Sequence, residues 1–158
     1  MGKLPDNITT LLNKEAGGFN TMLGLKFTHV TMERLQAELE ISGKHHQVYG
    51  IVHGGVYAAI AESMCSVGAV INVMGENKNA VGLENSTTFL RAVRSGTLHC
   101  VATPLTRGRR AHVWETRIHD DRDRLVASGR VRLMILAPKD SLAGEEIQFE
   151  NKSALPDI

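Results

Sequence analysis

Outside one long apolar block, the chain alternates hydrophobic and polar residues with period two. Leu35, Ala37, Leu39 and Ile41 alternate with Gln36, Glu38 and Glu40, which predicts a half-buried strand. Leu25, Phe27, His29 and Thr31 alternate with Lys26 and Thr28, so a strand opens after Gly24 with those four on one face. Four more strand-like stretches follow the apolar block, at about 81–94, 97–106, 111–119 and 124–136. Turn residues separate them at Ser95-Gly96, Arg107-Gly108 and Asp120-Asp121-Arg122-Asp123, and Pro138 closes the last. Regular spacing with short turns predicts an antiparallel meander. At the start, Thr9 or Thr10 is placed to cap a helix through Leu11, Leu12 and Ala16 that breaks at Gly17-Gly18. A second short turn holds Phe19, Met22 and Leu23. The tail from Lys139 is polar and aperiodic, a loose extension. The expected organisation is a helical segment at 1–24, the main body at 25–138 and the tail at 139–158.

The apolar block reads GGVYAAIAESMCSVGAVINVMG over residues 54–75. It predicts a helix from about His53 to Met74, apolar on nearly every face, which must be covered all round. A six-stranded sheet curved around it covers most of that surface, and a second subunit can cover the rest. The fold class is therefore α+β. A bilayer span needs about 20 apolar residues. This stretch carries Glu62, Ser63, Ser66, Gly68 and Asn72 and lacks flanking basic clusters, so a core helix is expected instead of a membrane span.

The chain has 158 residues, the size of one domain. Its formal net charge of +1 gives no global attraction to nucleic acid or to an anionic membrane. Its basic residues are interleaved with acids, and aromatics are scarce. Cys65 and Cys100 lie inside apolar segments without metal-type spacing, which favours two buried thiols in a reducing cell over a disulfide. The first eighteen residues hold no apolar signal core, and a cytoplasmic location is expected.

Glu62 is the one charged side chain in residues 54–75. A carboxylate in apolar surroundings is costly unless it is paired, locally solvated or used in chemistry. Ser66, four residues on, shares its helical face. Gly54 stands at or near the helix start, where backbone N–H groups lack helical partners and the dipole is positive, the makings of an oxyanion site. Gly54 and Glu62 are eight residues apart, about 12 Å along a helix. One carbonyl group cannot touch both in a single regular helix. Two antiparallel copies could bring one chain's Gly54 beside the other's Glu62, which predicts a homodimer with two shared sites. His45-His46 lacks a third ligand at suitable spacing, so no metal is expected.

The stretch Val52-His53-Gly54-Gly55-Val56-Tyr57-Ala58-Ala59-Ile60-Ala61-Glu62-Ser63 resembles the signature of the hotdog-fold acyl-CoA thioesterases. The similarity is greatest to the branch with phenylacetate-pathway and Arthrobacter-type 4-hydroxybenzoyl-CoA thioesterases. Phe89-Leu90-Arg91, Gly96, Gly108-Arg109, Asp120 and Arg124-Leu125-Val126-Ala127 extend it over about residues 24–136. The resemblance implies a single hotdog domain that hydrolyses an acyl-CoA thioester. It implies no metal or redox cofactor, coenzyme A being part of the substrate. Glu62 would be nucleophile or general base, the Gly54 N–H would polarise the carbonyl, Gln47 would orient the thioester and Ser66 would position water. His53 would support the loop or contact the thioester end. Phe89 stands where some relatives carry a histidine, and it cannot take a proton.

Plainer roles stand beside these. Glu62 can be a capped structural acid, Gln47 a surface loop residue, His53 a turn support, and Ser66 can bond back to the helix carbonyl four residues earlier. Tyr57, Met64 and Phe89 can line an acyl slot or be ordinary core. Arg109 and Arg110 sit in a basic turn that suits the phosphates of coenzyme A or is simply solvated, with Arg91 and Arg94 one strand earlier. An enoyl-thioester hydratase or a non-catalytic acyl-CoA-binding module are the rival functions. A dimer of dimers through sheet faces is a further possibility of assembly.

Overall fold

The computed structural model describes residues 4–15 and 17–146. In chain order it contains α1 (Ile8–Lys14), α2 (Gly17–Leu23), β1 (Lys26–Val30), β2 (Leu35–Glu40), α3 (Gly54–Val73), β3 (Asn79–Phe89), β4 (Thr97–Arg107), β5 (Ala111–His119) and β6 (Leu125–Leu136). A six-stranded sheet, in the order β1-β2-β4-β5-β6-β3 and antiparallel throughout, wraps around α3. The α+β expectation holds. Strands β2 to β6 all touch α3. The span Gly54–Glu76 is long and apolar enough to cross a membrane by length and composition, but here it is packed on the concave face of the sheet.

Several local expectations change. Helix α1 starts at Ile8 with Asn7 at its cap position, ahead of Thr9 and Thr10, and makes no side-chain capping bond. Ala16, where that helix was expected to end, lies outside the described residues. In β1 the register to β2 slips between Phe27 and His29. This irregularity breaks the alternation, so Leu25, Phe27 and Val30 are buried and His29 is exposed. β3 ends at Phe89 and does not reach residue 94, because Leu90 and Arg91 both turn their N–H groups to the Val126 carbonyl. The start of the tail is ordered: β7 (Ser141–Leu142) and β8 (Glu145–Glu146) form a small hairpin through Ala143 and Gly144, both at positive φ. Residues 147–158 lie outside the described residues.

The core is the layer between α3 and the sheet, where Ile60, Ala61, Met64 and Cys65 meet Leu98, Trp114, Ile118 and Val131. Both cysteines are free and buried, as expected from sequence. Burial pushes the Cys65 thiol up to about 12, with Thr116 as its hydrogen-bond partner at 3.2 Å, and moves Cys100 in the same direction. Asp120 closes the β5–β6 turn. It accepts both side-chain N–H groups of Arg124 and the backbone N–H groups of Arg122 and Arg124. These bonds, led by the Arg124 side chain, hold its carboxyl down at about 2.

Helix and sheet approach closely. A Cβ on Gly68 would lie 2.7 Å from Trp114 Cζ3, and one on Gly129 would lie 2.6 Å from Ala61 Cβ. The Trp114 ring therefore occupies the space a larger residue at 68 would need. Alanine favours an isolated helix over glycine by about 1 kcal/mol. Gly68→Ala is nonetheless expected to lower stability by about 1–3 kcal/mol, because the ring is locked in a packed core. Urea unfolding checks this, and a stabilised variant would contradict the contact.

Candidate active site

Helix α3 begins in a tightly braced corner. His53 is its N-cap: the Nδ1 atom accepts the Gly55 N–H at 2.8 Å, and the His53 carbonyl accepts the Val56 N–H at 2.9 Å. In the neutral ring Nε2 then carries the proton. Gly54 is the first helical residue, ahead of the point where the helical hydrogen-bond ladder begins. Phe89 from the end of β3 lies over it, and a Cβ on Gly54 would be 2.6 Å from Phe89 Cε2. Tyr57, one turn along, is 2% exposed and tilts against Phe89 with ring centroids 6.0 Å apart. Its hydroxyl has no hydrogen-bond partner among the described residues, and burial is the main cause pushing it up to about 12.

Gln47 stands in the turn before the helix. Its side-chain oxygen accepts the Tyr49 N–H, and its carbonyl accepts the Gly50 N–H. The carboxamide NH2 remains as its side-chain donor. Arg94 braces this turn by donating to the carbonyls of Tyr49 and Gly50. The adjacent histidines are structural. His45 bonds the Leu23 carbonyl and the Ser42 N–H, and His46 bonds the Arg94 carbonyl. Among the described residues no group of three or more metal-type side chains converges.

Glu62 is half-buried, and two elements hold it. Ser66, one turn along α3, approaches Oε1 at 3.4 Å. From β3, Asn85 Nδ2 donates to Oε2 at 3.0 Å and to the Ala58 carbonyl at 3.0 Å. Thr87 in turn donates its hydroxyl to Asn85 Oδ1 at 2.7 Å. Gly82 makes room for the acid: a Cβ there would lie 2.2 Å from Oε1. Sequence reading did not find Asn85, Thr87 or Gly82, for a geometric reason. The β3–β6 register slips between Gly82 and Glu84, so Leu83 is an extra residue and the inward face switches parity. Gly82, Asn85, Thr87 and Phe89 pair with Leu133, Val131, Gly129 and Ala127, all buried on the inner face of β6. The polar run Asn85-Ser86-Thr87-Thr88 carries no hydrophobic mark of which side faces the helix.

A carboxylate held at one oxygen by an amide and approached at the other by a hydroxyl can take a proton from water or attack an electrophile. The Gly54 N–H group can polarise a carbonyl. The structure keeps the two apart, eight residues along one regular helix. Arg109 lies farther off still. It lines a cleft of about 490 Å³ at the other end of α3 with Asn72, Val73, Lys78 and His112. His112 Nδ1 is buried there without a partner among the described residues, and burial, followed by Arg107, lowers its pKa. Arg107 is committed to Asn72 and Glu33. Arg110 is exposed and does not line the cleft.

Residues 49–127 match the family model described as the thioesterase superfamily. The chain is 44% identical over 120 residues to a provisionally named esterase of Mycobacterium tuberculosis, covering 75% of this chain and 86% of the relative. It is 35% identical over 130 residues to the 1,4-dihydroxy-2-naphthoyl-CoA hydrolase of Escherichia coli, covering 80% and 95%. Among solved structures, a glutamine-to-alanine variant of a Pseudomonas aeruginosa thioesterase superposes with a TM-score of 0.78 at 28% identity, covering 85% and 96%. The chain belongs to the thioesterase superfamily and has its hotdog fold. In a thioester hydrolase of this geometry, Gly82→Ala is expected to cut kcat about 100-fold by turning the Glu62 carboxylate out of place. Its melting temperature should stay near wild type, since the atom that the new Cβ would meet is the far end of a flexible side chain. Wild-type turnover by Gly82→Ala would show that the carboxylate position is not needed.

Proposed function

We propose that this thioesterase-superfamily chain hydrolyses an acyl-CoA thioester to the free acid and coenzyme A, with Glu62 as general base or nucleophile. The observation that carries this is the Glu62 carboxylate itself. It is half-buried in an otherwise uncharged helix, held at one oxygen by Asn85 and faced at the other by Ser66. As a base, Glu62 takes a proton from water while the water oxygen bonds to the thioester carbon. The carbonyl oxygen gains charge against the Gly54 N–H, the C–S bond breaks, and the departing sulfur takes up the proton. As a nucleophile, Glu62 would first attack the thioester carbon and expel the coenzyme A thiolate to form an anhydride; water then opens the anhydride to the free acid and the Glu62 carboxylate, and the proton released goes to the thiolate. Labelled oxygen found in Glu62 after one turnover in heavy water-oxygen would favour the anhydride. Neither route calls for a metal or a redox cofactor. The likeness to a naphthoyl-CoA hydrolase supports a CoA thioester, and the HGG-to-Glu-to-Ser spacing supports the phenylacetate-pathway and Arthrobacter-type branch. The buried free thiols support a cytoplasmic setting.

Two copies would complete each site. The outer side of β3, an eleven-residue edge strand, has no partner in the described sheet. An unpaired edge of this length is a template for another strand. Antiparallel pairing of β3 with a second β3 would set two α3 helices antiparallel. Gly54 of one copy would then approach Glu62 of the other, with Gln47 and His53 at the same mouth. The Arg109 cleft at the far end of α3 would stand near the partner's helix start, where it could receive phosphates of coenzyme A, with Arg110 beside it at the surface. Phe89 and Tyr57 would border the acyl group. Sheet faces could join two such dimers.

Two measurements test this. Thiol release from phenylacetyl-, benzoyl-, hexanoyl- and palmitoyl-CoA is expected for wild type, and kcat is expected to fall about 100- to 10,000-fold in Glu62→Gln. A Glu62→Gln protein with undiminished turnover would refute the role of Glu62. Sedimentation is expected to give twice the 17.3 kDa chain mass, with specific activity falling on dilution as dimers dissociate. A fully active monomer would refute the shared site.

A further inference from the structure

We propose that Asn85 is a positioning residue for the Glu62 carboxylate: its amide group holds one carboxylate oxygen and so fixes how the carboxylate is turned. Asn85 matters in this way only if Glu62 is the reacting carboxylate, as proposed above.

The hydrogen-bond network defines which way the Asn85 amide points. Its Nδ2 group faces two acceptors, the Ala58 carbonyl and Glu62 Oε2, each at 3.0 Å. Its Oδ1 accepts the Thr87 hydroxyl at 2.7 Å. Turned over, the amide would set its oxygen against two other oxygens, so the Ala58 carbonyl, which can only accept, selects the orientation that donates to Glu62, and the Thr87 hydroxyl, which can donate or accept, anchors Oδ1 in that orientation. Both amide hydrogens are used, one on the helix backbone and one on the acid. Bonds to an ionised carboxylate are shorter and stronger than neutral ones.

The two carboxylate oxygens are thereby made unequal. Oε2 is tied to β3 through Asn85. Oε1 lies over Gly82, where no side chain intervenes, with the Ser66 hydroxyl 3.4 Å away. A carboxylate anchored at a single point by a flexible three-bond side chain would otherwise sample several rotamers. Holding one oxygen removes most of that freedom before substrate arrives, which is how a second residue raises kcat without touching substrate. The bulge follows directly after Gly82, so the gap left by that glycine and the Asn85 donor both face the acid.

Asn85 could instead serve only as a staple between β3 and the Ala58 carbonyl. Kinetic constants and melting temperatures for Asn85→Leu, Asn85→Gln, Thr87→Val and Glu62→Gln, measured on the full chain with the best thioester of the panel, separate the two roles. Asn85→Leu is expected to lower kcat about 10- to 100-fold, the loss of one hydrogen bond to a charged group. Its KM should stay within about twofold of wild type, since Asn85 acts through Glu62 and not on substrate. Asn85→Gln keeps the donor on a longer stem and should recover part of the lost rate. Thr87→Val, which removes the anchor on Asn85 Oδ1 and loosens the amide, should lie between wild type and Asn85→Leu, and it carries the test if Asn85→Leu does not fold. Wild-type kcat in both Asn85→Leu and Thr87→Val, alongside an inactive Glu62→Gln, would overturn the inference and leave the hydrolytic function standing. A loss confined to KM would also overturn it. Full activity in Glu62→Gln would remove the hydrolytic role of Glu62 first, and that of Asn85 with it.

Discussion

Helix α3 rides so close to the sheet that the contact surfaces have room for little beyond backbone and hydrogen at several points. Gly68 meets the face of Trp114, Gly129 meets Ala61, and Gly82 meets the Glu62 carboxylate. Close approach is possible only where one partner has no Cβ, and it lets a single curved layer of strands bury most of a helix that has little polar surface of its own. The sheet curls around α3 from β2 to β3, and the residues that pack between them form one continuous core. Seating the helix this deeply also brings Glu62 against β3. The depth of that contact makes the acid half-buried instead of solvated, and a half-buried acid needs hydrogen-bond partners from the neighbouring strand.

The strand answers through a bulge. Without the extra residue at Leu83, a strand with Gly82 facing inward would next turn Glu84 and Ser86 toward α3. That would set a second carboxylate beside Glu62, and like charges at such range disfavour each other's ionised form. With the bulge, Asn85 and Thr87 face inward, and Glu84 turns outward to pair with Arg132 at 3.2 Å. The irregularity thus replaces a repulsive neighbour with a donor. It also carries Phe89 onto Gly54, tying the end of β3 to the start of α3. One local departure from regular pairing therefore sets the surroundings of both Glu62 and Gly54.

The two ends of α3 do different things. The N-terminal end is braced by His53, by the Gln47 turn and by Arg94 behind that turn. The C-terminal end borders a cationic cleft with Arg109 and Lys78. Between them lies Glu62, on the side of the molecule where the sheet stops. A helix rises about 1.5 Å per residue, so Glu62 and the helix-start N–H groups lie too far apart to serve one carbonyl within a single chain. That constraint, together with a β3 edge that has no partner among the described residues, is the ground on which the shared site was proposed.

Much was legible in the residues themselves. Period-two alternation located the strands, and the uninterrupted apolar block located the central helix, because burial demands those patterns wherever a face meets the core. The solitary charge in that block marked Glu62, and the glycine pair after His53 marked the helix start. Register was not legible. The slips in β1 and β3 come from how neighbouring strands pair, which involves residues distant in sequence, and each slip inverts which side chains face inward. His29 was therefore placed on the wrong face, and Asn85 and Thr87 passed unnoticed in a run of polar residues with no apolar partner to show their direction. The chain alone determined which groups could do chemistry, because solvation and burial act residue by residue. Only the tertiary structure decided which of them meet, because a hydrogen bond at 3.0 Å depends on strand register and helix depth, and these are properties of the whole packed sheet.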